Sequence, residues 1–214
     1  MTTESPPEST TVSDPDADLR DRLADAIAQE AAFSGWTSLA MRNAGQSIGA
    51  AADARRLFPG GPVDVLATLS RRADARTVEA LEKEGGELRT RDRIALGVKL
   101  RIQNTVGGKE SVRRGLALLA MPFNGPLALK LLYRTVDAIW YAAGDSSTDF
   151  NFYSKRALLG GVFSSTLLYW LNDRSPDDEA TWAFLDRRLD NVMSFEKLKA
   201  NVRSWKPSRT ATRR

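Results

Sequence analysis

Neither cysteine nor histidine occurs in the chain. Without thiols there is no disulfide, no thiolate nucleophile, no zinc–thiolate site and no iron–sulfur cluster. Without imidazole the commonest general base and the commonest transition-metal ligand are gone. A di-iron carboxylate centre of the Glu-x-x-His kind cannot be assembled. Long apolar runs are missing too. The longest uncharged stretch, residues 157–172, includes Ser, Thr and Asn and falls short of the ~20 apolar residues of a spanning helix. No window alternates apolar and polar residues with β-branched enrichment, so no strand is expected. The N-terminus has no apolar h-region and no arginine before Arg20, which argues against a signal peptide and against a mitochondrial transit peptide. Together with the Ala, Arg and Asp usage, this leads to the expectation of a soluble protein of the bacterial cytoplasm.

The 214 residues suit a single domain or a small bipartite fold, and 42% hydrophobic residues suffice for a core. The net charge of +4 is unevenly spread. Residues 1–18 hold Glu4, Glu8, Asp14, Asp16 and Asp18 and no base, and their Pro, Ser and Thr content predicts a disordered acidic tail. Residues 194–214 hold Lys197, Lys199, Arg203, Lys206, Arg209, Arg213 and Arg214 against the single acid Glu196. An anionic partner would therefore sit at the C-terminal end.

Apolar residues recur at helical spacing from Leu19, behind Asp18 as N-cap, and predict a first helix over 19–33. Thr37 caps a second, SLAMRNA, ending at Gly45, and a third is expected over 48–58. Pro59-Gly60-Gly61-Pro62 is a break. Residues 63–84 read as a long helix with Val63, Leu66, Leu69, Ala73 and Val78 inward. Further helices are expected at 90–106, 110–121, 125–143, 151–172 and 177–193, punctuated by Pro122, Pro126, Gly144 and Pro176. The fold class is all-α. The expected domains are a tail at 1–18, a small helical subdomain at 19–62, a helical body at 63–193 and a basic tail at 194–214.

Gly35-Trp36-Thr37 and the SLAMRNAGQSIGAAADARRLF that follows resemble the helix-turn-helix of TetR-type regulators. Base readout needs side chains such as Arg, Lys, Asn or Gln at the start of the recognition helix. This chain offers Gly49, three alanines, Asp53 and Ala54. The motif therefore reads as a retained scaffold packing Leu39, Ile48, Leu57 and Phe58, with no specific nucleic acid bound. Arg55 and Arg56 are the residues left for phosphate, and a ligand-responsive TetR-type regulator is the alternative function.

Residues 140–156, WYAAGDSSTDFNFYSKR, combine aromatics, small polar residues, acids and cations. A calcium loop fails here, because its sixth position is Phe150 and its twelfth Arg156. Asp145 and Asp149 as a catalytic acid–base pair lack an accompanying nucleophile and base. Gly144 ends one helix, a loop residue caps the next, and Arg156 can pair with Asp137 or Asp149. Trp140 and Tyr141 point about 100° apart on one helix, so at least one aromatic of this block is expected at the surface.

With MPFNGPLALKLL before it and SPDDEATWAFLDRRLD after it, this block resembles the ubiquinone-biosynthesis accessory family of lipid-binding proteins, the ninth coenzyme-Q family. The likeness extends over residues 19–193 and is densest over 117–189. It implies a TetR-like helical protein with a degenerate helix-turn-helix, non-catalytic and without cofactor or metal, peripheral to the inner membrane and homodimeric. Its implied partners are an isoprenoid or quinone lipid and the demethoxyubiquinone hydroxylase. The implied patch for the hydroxylase is Met121, Pro122, Asn124, Leu127, Trp140, Tyr141 and Asp145, with Phe123 replacing a residue that is usually polar. The apolar positions available to line a lipid pocket are Leu96, Leu100, Leu116, Leu119, Leu131, Ile139, Leu158, Val162, Phe163 and Leu167. The pairs Gly107-Gly108 and Gly160-Gly161 mark close helix packing or space for a ligand chain. Phe195, Leu198, Val202 and Trp205 recur every three or four residues among Lys197, Lys199 and Arg203, the pattern of a short helix on an anionic membrane surface, cut off at Pro207.

Overall fold

The computed structural model describes residues 15–144 and 150–204, without the side chains of 150–152 and 193–204. Every regular element among them is helical: α1 (Pro15–Ser34), α2 (Ser38–Ser47), α3 (Asp53–Leu57), α4 (Pro62–Glu84), α5 (Thr90–Gln103), α6 (Gly108–Leu119), α7 (Gly125–Ala142), α8 (Phe150–Trp170) and α9 (Glu179–Ser204). Short 3-10 turns at Pro122–Asn124 and Pro176–Asp178 precede α7 and α9. The chain forms two compact units. One holds the described residues up to Leu69 with Val106–Leu118, and the other holds Ser70–Thr105 and the described residues from Leu119 on. The expected boundary at residue 62 falls inside the first unit.

In the first unit α1 begins at Pro15 rather than Leu19. Proline suits a first helical turn, where its missing N–H would have had no partner. Residues 15–18 therefore do not belong to a disordered tail, and Asp16 forms a two-pronged ion pair with Arg56 (2.6 and 2.8 Å). Thr37 caps α2 as expected, accepting from the Ala40 N–H at 3.1 Å. The third helix is shorter than 48–58, because Gly49 turns through φ +73° and the Ala50 N–H reaches back to the Gly45 carbonyl at 2.7 Å. Leu57 and Phe58 are buried with Leu23, Ile27, Trp36, Met41 and Val65. Leu39 and Ile48, expected in this core, are exposed. The Trp36 indole donates to the Ser111 carbonyl at 2.9 Å, and a Cβ on Gly115 would lie 3.2 Å from that indole nitrogen. That contact places α6 against the helix-turn-helix. Gly107 (φ +83°) lies in the turn before α6, where a Cβ would meet the Ala28 carbonyl oxygen at 2.5 Å.

The second unit packs the later part of α4 with α5, α7, α8 and α9. The buried face of α4 runs through Ala73, Thr77 and Leu81. Thr77 can stand there because its hydroxyl donates to the Ala73 carbonyl at 2.7 Å. Val63, Leu66, Leu69 and Val78 are half-buried, so of the residues expected inward Ala73 is the one fully buried. A Cβ on Gly97 of α5 would come within 2.9 Å of Ile139 on α7 and 3.2 Å of Leu81. Arg91 reaches Asp190 at 2.7 Å and Lys99 lies 5.3 Å over Trp182, tying α5 to α9. The start of α9 is held by Asp173, which accepts from the Thr181 hydroxyl and N–H and from the Ser175 N–H and hydroxyl. The α9 backbone runs on to Ser204 without the break expected near residue 193. The expected membrane residues Phe195, Lys197, Leu198, Lys199, Val202 and Arg203 lie outside the described side chains, and Trp205 lies outside the described residues.

Candidate functional site

The corner between α7 and α8 is built from the side chains that the sequence singled out. Arg156, buried on α8, donates from Nε to Asp137 of α7 at 2.6 Å. One turn further along α7, the Trp140 indole donates to the Lys155 carbonyl at 3.1 Å, and the Lys155 ammonium lies 5.4 Å over its ring. Trp140 is therefore half-buried and braces the two helices. Tyr141 next to it is three-quarters exposed. At the other end of α7, the turn closes with the Asn124 N–H donating to the Met121 carbonyl at 2.8 Å. Asn124 itself is buried, which leaves Met121, Pro122 and Phe123 standing out from it. Of the expected patch, Met121, Pro122 and Tyr141 are exposed, Leu127 and Trp140 are half-buried and Asn124 is covered. Asp145 lies outside the described residues, as does Asp149. Sequence reasoning passed over Leu129 and Tyr133, which are exposed on α7 between the two ends of the patch. Their spacing of four, continued by Asp137 and Tyr141, was the available signal.

The expected pocket residues divide by burial. Leu131, Ile139, Val162 and Phe163 are buried in the second unit. Leu96, Leu100, Leu119, Leu158 and Leu167 of the same unit are half-buried, as is Leu116 in the first unit. At Ile139 the space is taken up by Gly97. Gly160 is in ordinary packing range of Leu132, with 3.8 Å from its would-be Cβ, whereas nothing lies within 4 Å at Gly161.

Inside this unit sits a polar centre that the sequence did not announce. Asp74 of α4 accepts from Arg101 Nε of α5 at 2.6 Å and from the Thr135 hydroxyl of α7 at 2.8 Å. Arg101 also donates to the Ser70 hydroxyl at 3.1 Å, and its guanidinium lies 6.0 Å from the Phe163 ring centroid. Asp74, Arg101 and Thr135 are all buried. Charges so placed persist when paired and hydrogen-bonded, as here. Among the described residues no group of acids could hold a metal ion. In the helix-turn-helix, Arg56 is bound by Asp53 at 2.8 Å as well as by Asp16, which occupies its guanidinium with carboxylates.

The COQ9 family model matches residues 125–196, which run from the start of α7 well into α9. The chain is 34% identical over 178 residues to the rat (Rattus norvegicus) ubiquinone biosynthesis protein COQ9, mitochondrial, covering 79% of this chain and 57% of that protein. It is 31% identical over 194 residues to the human protein of the same name, covering 87% of this chain and 61% of that one. The chain is thus similar to COQ9 proteins over most of its own length. It spans about three-fifths of the length of these COQ9 relatives. Their names label them mitochondrial, as does that of the Drosophila melanogaster protein, and this overturns the expectation of a bacterial cytoplasmic protein. That expectation rested on amino-acid usage and on an acidic N-terminus, neither of which reports the compartment of a folded domain. The solved TetR transcriptional regulator from Nitrosomonas europaea superposes with a TM-score of 0.68 at 20% identity, over 81% of this chain and 97% of its own. The chain has the TetR-like all-α fold.

Proposed function

We propose that this chain serves ubiquinone biosynthesis as a non-catalytic accessory protein. It holds a polyprenyl quinone intermediate in the helical body and presents it to the demethoxyubiquinone hydroxylase docked at the α7–α8 corner. The observation that carries this reading is the coincidence of the family match, residues 125–196, with the helices that bear the exposed Tyr141 beside a braced Trp140. Rigid aromatics exposed at a surface suit a binding hot spot. The half-buried leucines Leu96, Leu100, Leu158 and Leu167 are the candidate pocket wall, since they retain surface that a lipid chain can cover. A homodimer and a membrane contact through the tail residues 195–205 belong to the same proposal.

The test is gentle purification followed by lipid mass spectrometry, together with uptake of a quinone analogue. Recovery of a quinone or isoprenoid lipid is the expected result. Repeated recovery of lipid-free protein that also refuses the analogue would refute the cargo. A TetR-type regulator is disfavoured by the five-residue α3 with Asp53 at its start and by the pairing of Arg56. One protected operator at physiological salt, poorly competed by random DNA, would restore it.

A further inference from the structure

The 3-10 turn at Pro122–Asn124 runs directly into α7, so Phe123 joins an outward face that continues at helical spacing through Leu129, Lys130, Tyr133, Arg134 and Asp137. Phe123 is 76% exposed and Leu129 68%, and Tyr133 is exposed as well. A large apolar side chain left this bare is common singly and uncommon as an aligned series. The charge on the face is equally one-sided. Lys130 and Arg134 are exposed, and among the described residues neither has a carboxylate partner. The one acid, Asp137, is held by the buried Arg156 at 2.6 Å. A helix face turned to water ordinarily mixes both signs of charge with few bare apolar groups.

We propose that this face of α7 lies on the surface of a bilayer containing anionic lipid. Phe123 and Leu129 enter the boundary between head groups and acyl chains. Lys130 and Arg134 extend their stems over the same boundary and set their charges against lipid phosphates. Tyr133 sits at head-group level, with its ring in the apolar layer and its hydroxyl in the polar one. The helix rests in the plane of the membrane and does not cross it. Its 18 residues include three charged ones, and no single described helix is long and apolar enough to span. Lys130 and Arg134, without a carboxylate among the described residues, choose the occupant, because they match a surface of phosphates while the one acid of this face, Asp137, is held by Arg156. The contact adds to the one proposed for the tail and does not depend on the quinone cargo. Tyr141 lies on the same stripe, about 18 Å along α7 from Leu129 at 1.5 Å per residue, at the α7–α8 corner.

Flotation of the full chain tests the assignment, using phosphatidylcholine vesicles with and without phosphatidylglycerol. Phe123→Ser with Leu129→Ser is expected to weaken partition on the order of tenfold or more on both vesicle types. Lys130→Gln with Arg134→Gln is expected to weaken it on phosphatidylglycerol vesicles alone, with an effect that fades as salt is raised. Both variants should melt with the parent, since the replaced side chains are exposed. A full-length variant with Lys197, Lys199 and Arg203 changed to Gln serves as comparison, and its loss should add to theirs. Parent-like flotation of both α7 variants would overturn the proposal. So would variants that float normally and yet lose capture of the hydroxylase, since the face would then be a protein-binding surface.

Discussion

Gly97 and Gly161 are both helical glycines, yet replacing them with alanine should move stability in opposite directions. At an unobstructed helical position Gly→Ala gains about 1 kcal/mol, because alanine loses less backbone freedom on folding. Gly161 on α8 is such a position, with nothing within 4 Å of its would-be Cβ. At Gly97 the new methyl would stand 2.9 Å from Ile139 Cγ2 and 3.2 Å from Leu81 Cδ2, and both neighbours are only 1% exposed. Neither can swing into solvent, so α5 and α7 must part by several tenths of an ångström. Overpacking of this kind costs about 1–3 kcal/mol, which offsets or exceeds the helix gain. Gly161→Ala should therefore raise the melting temperature by about 2–4 °C, whereas Gly97→Ala should leave it unchanged at best and lower it by up to about 8 °C at worst. Thermal unfolding by circular dichroism, on lipid-free protein at one concentration, measures both. A clear rise at Gly97 would refute the packing and show slack between α5 and α7, returning Ile139 to the wall of a cavity. A clear fall at Gly161 would show that this face of α8 is covered in solution, as by a second copy of the chain.

Three more outcomes are expected. Tyr141→Ala should leave the melting temperature within the range of an ordinary surface change, about 0.5 kcal/mol, while abolishing capture of the hydroxylase; Trp140→Ala should impair both, because it frees the Lys155 carbonyl as well, and intact capture by both variants would remove the patch. Asp74→Asn or Arg101→Met alone should cost about 3–5 kcal/mol by leaving a buried group unpaired, and Asp74→Leu with Arg101→Met should recover much of that in a double-mutant cycle; strictly additive losses would argue against the pair. The Thr181 hydroxyl, first, and the Ser175 N–H hold the Asp173 carboxyl far below the usual carboxylate range, so its folded pKa is depressed. Its stabilising effect is complete above the unfolded value of about 4 and is lost as pH falls through the folded one; Asp173→Asn should be less stable than the parent at neutral pH, the gap should narrow in acid, and a gap independent of pH would refute the linkage.

Helix positions were legible wherever the chain punctuates itself. Thr37, the Pro59–Pro62 break, Gly144 and Pro176 act on their own backbone, and α2, α4, α7 and α9 start or stop beside them. Gly49 is of the same kind, but its left-handed φ delayed the third helix beyond the start that apolar spacing suggested, and α3 shrank to five residues. The membership of α6 was not legible, because it rests on Trp36 and Ser111, 75 positions apart. Nor was the buried Asp74–Arg101 pair, whose members are 27 apart and look like two ordinary surface charges until both are covered. The candidate site was half legible for a related reason. The spacing of Trp140 and Tyr141 required an exposed ring without choosing one, and the hydrogen bond to Lys155 made the choice. On α7 the difficulty is sharper. Leu131 and Ile139 are buried while Leu129 and Tyr133 are exposed, all within one apolar-rich helix. Periodicity separates an apolar face from a polar one, but it cannot rank two apolar faces. The face turned outward thus reads as surplus core until burial is known. Only then do Phe123 and Leu129, with the exposed Lys130 and Arg134, become a surface that needs an occupant, which is why the sequence pointed to the two ends of this helix and passed over its middle.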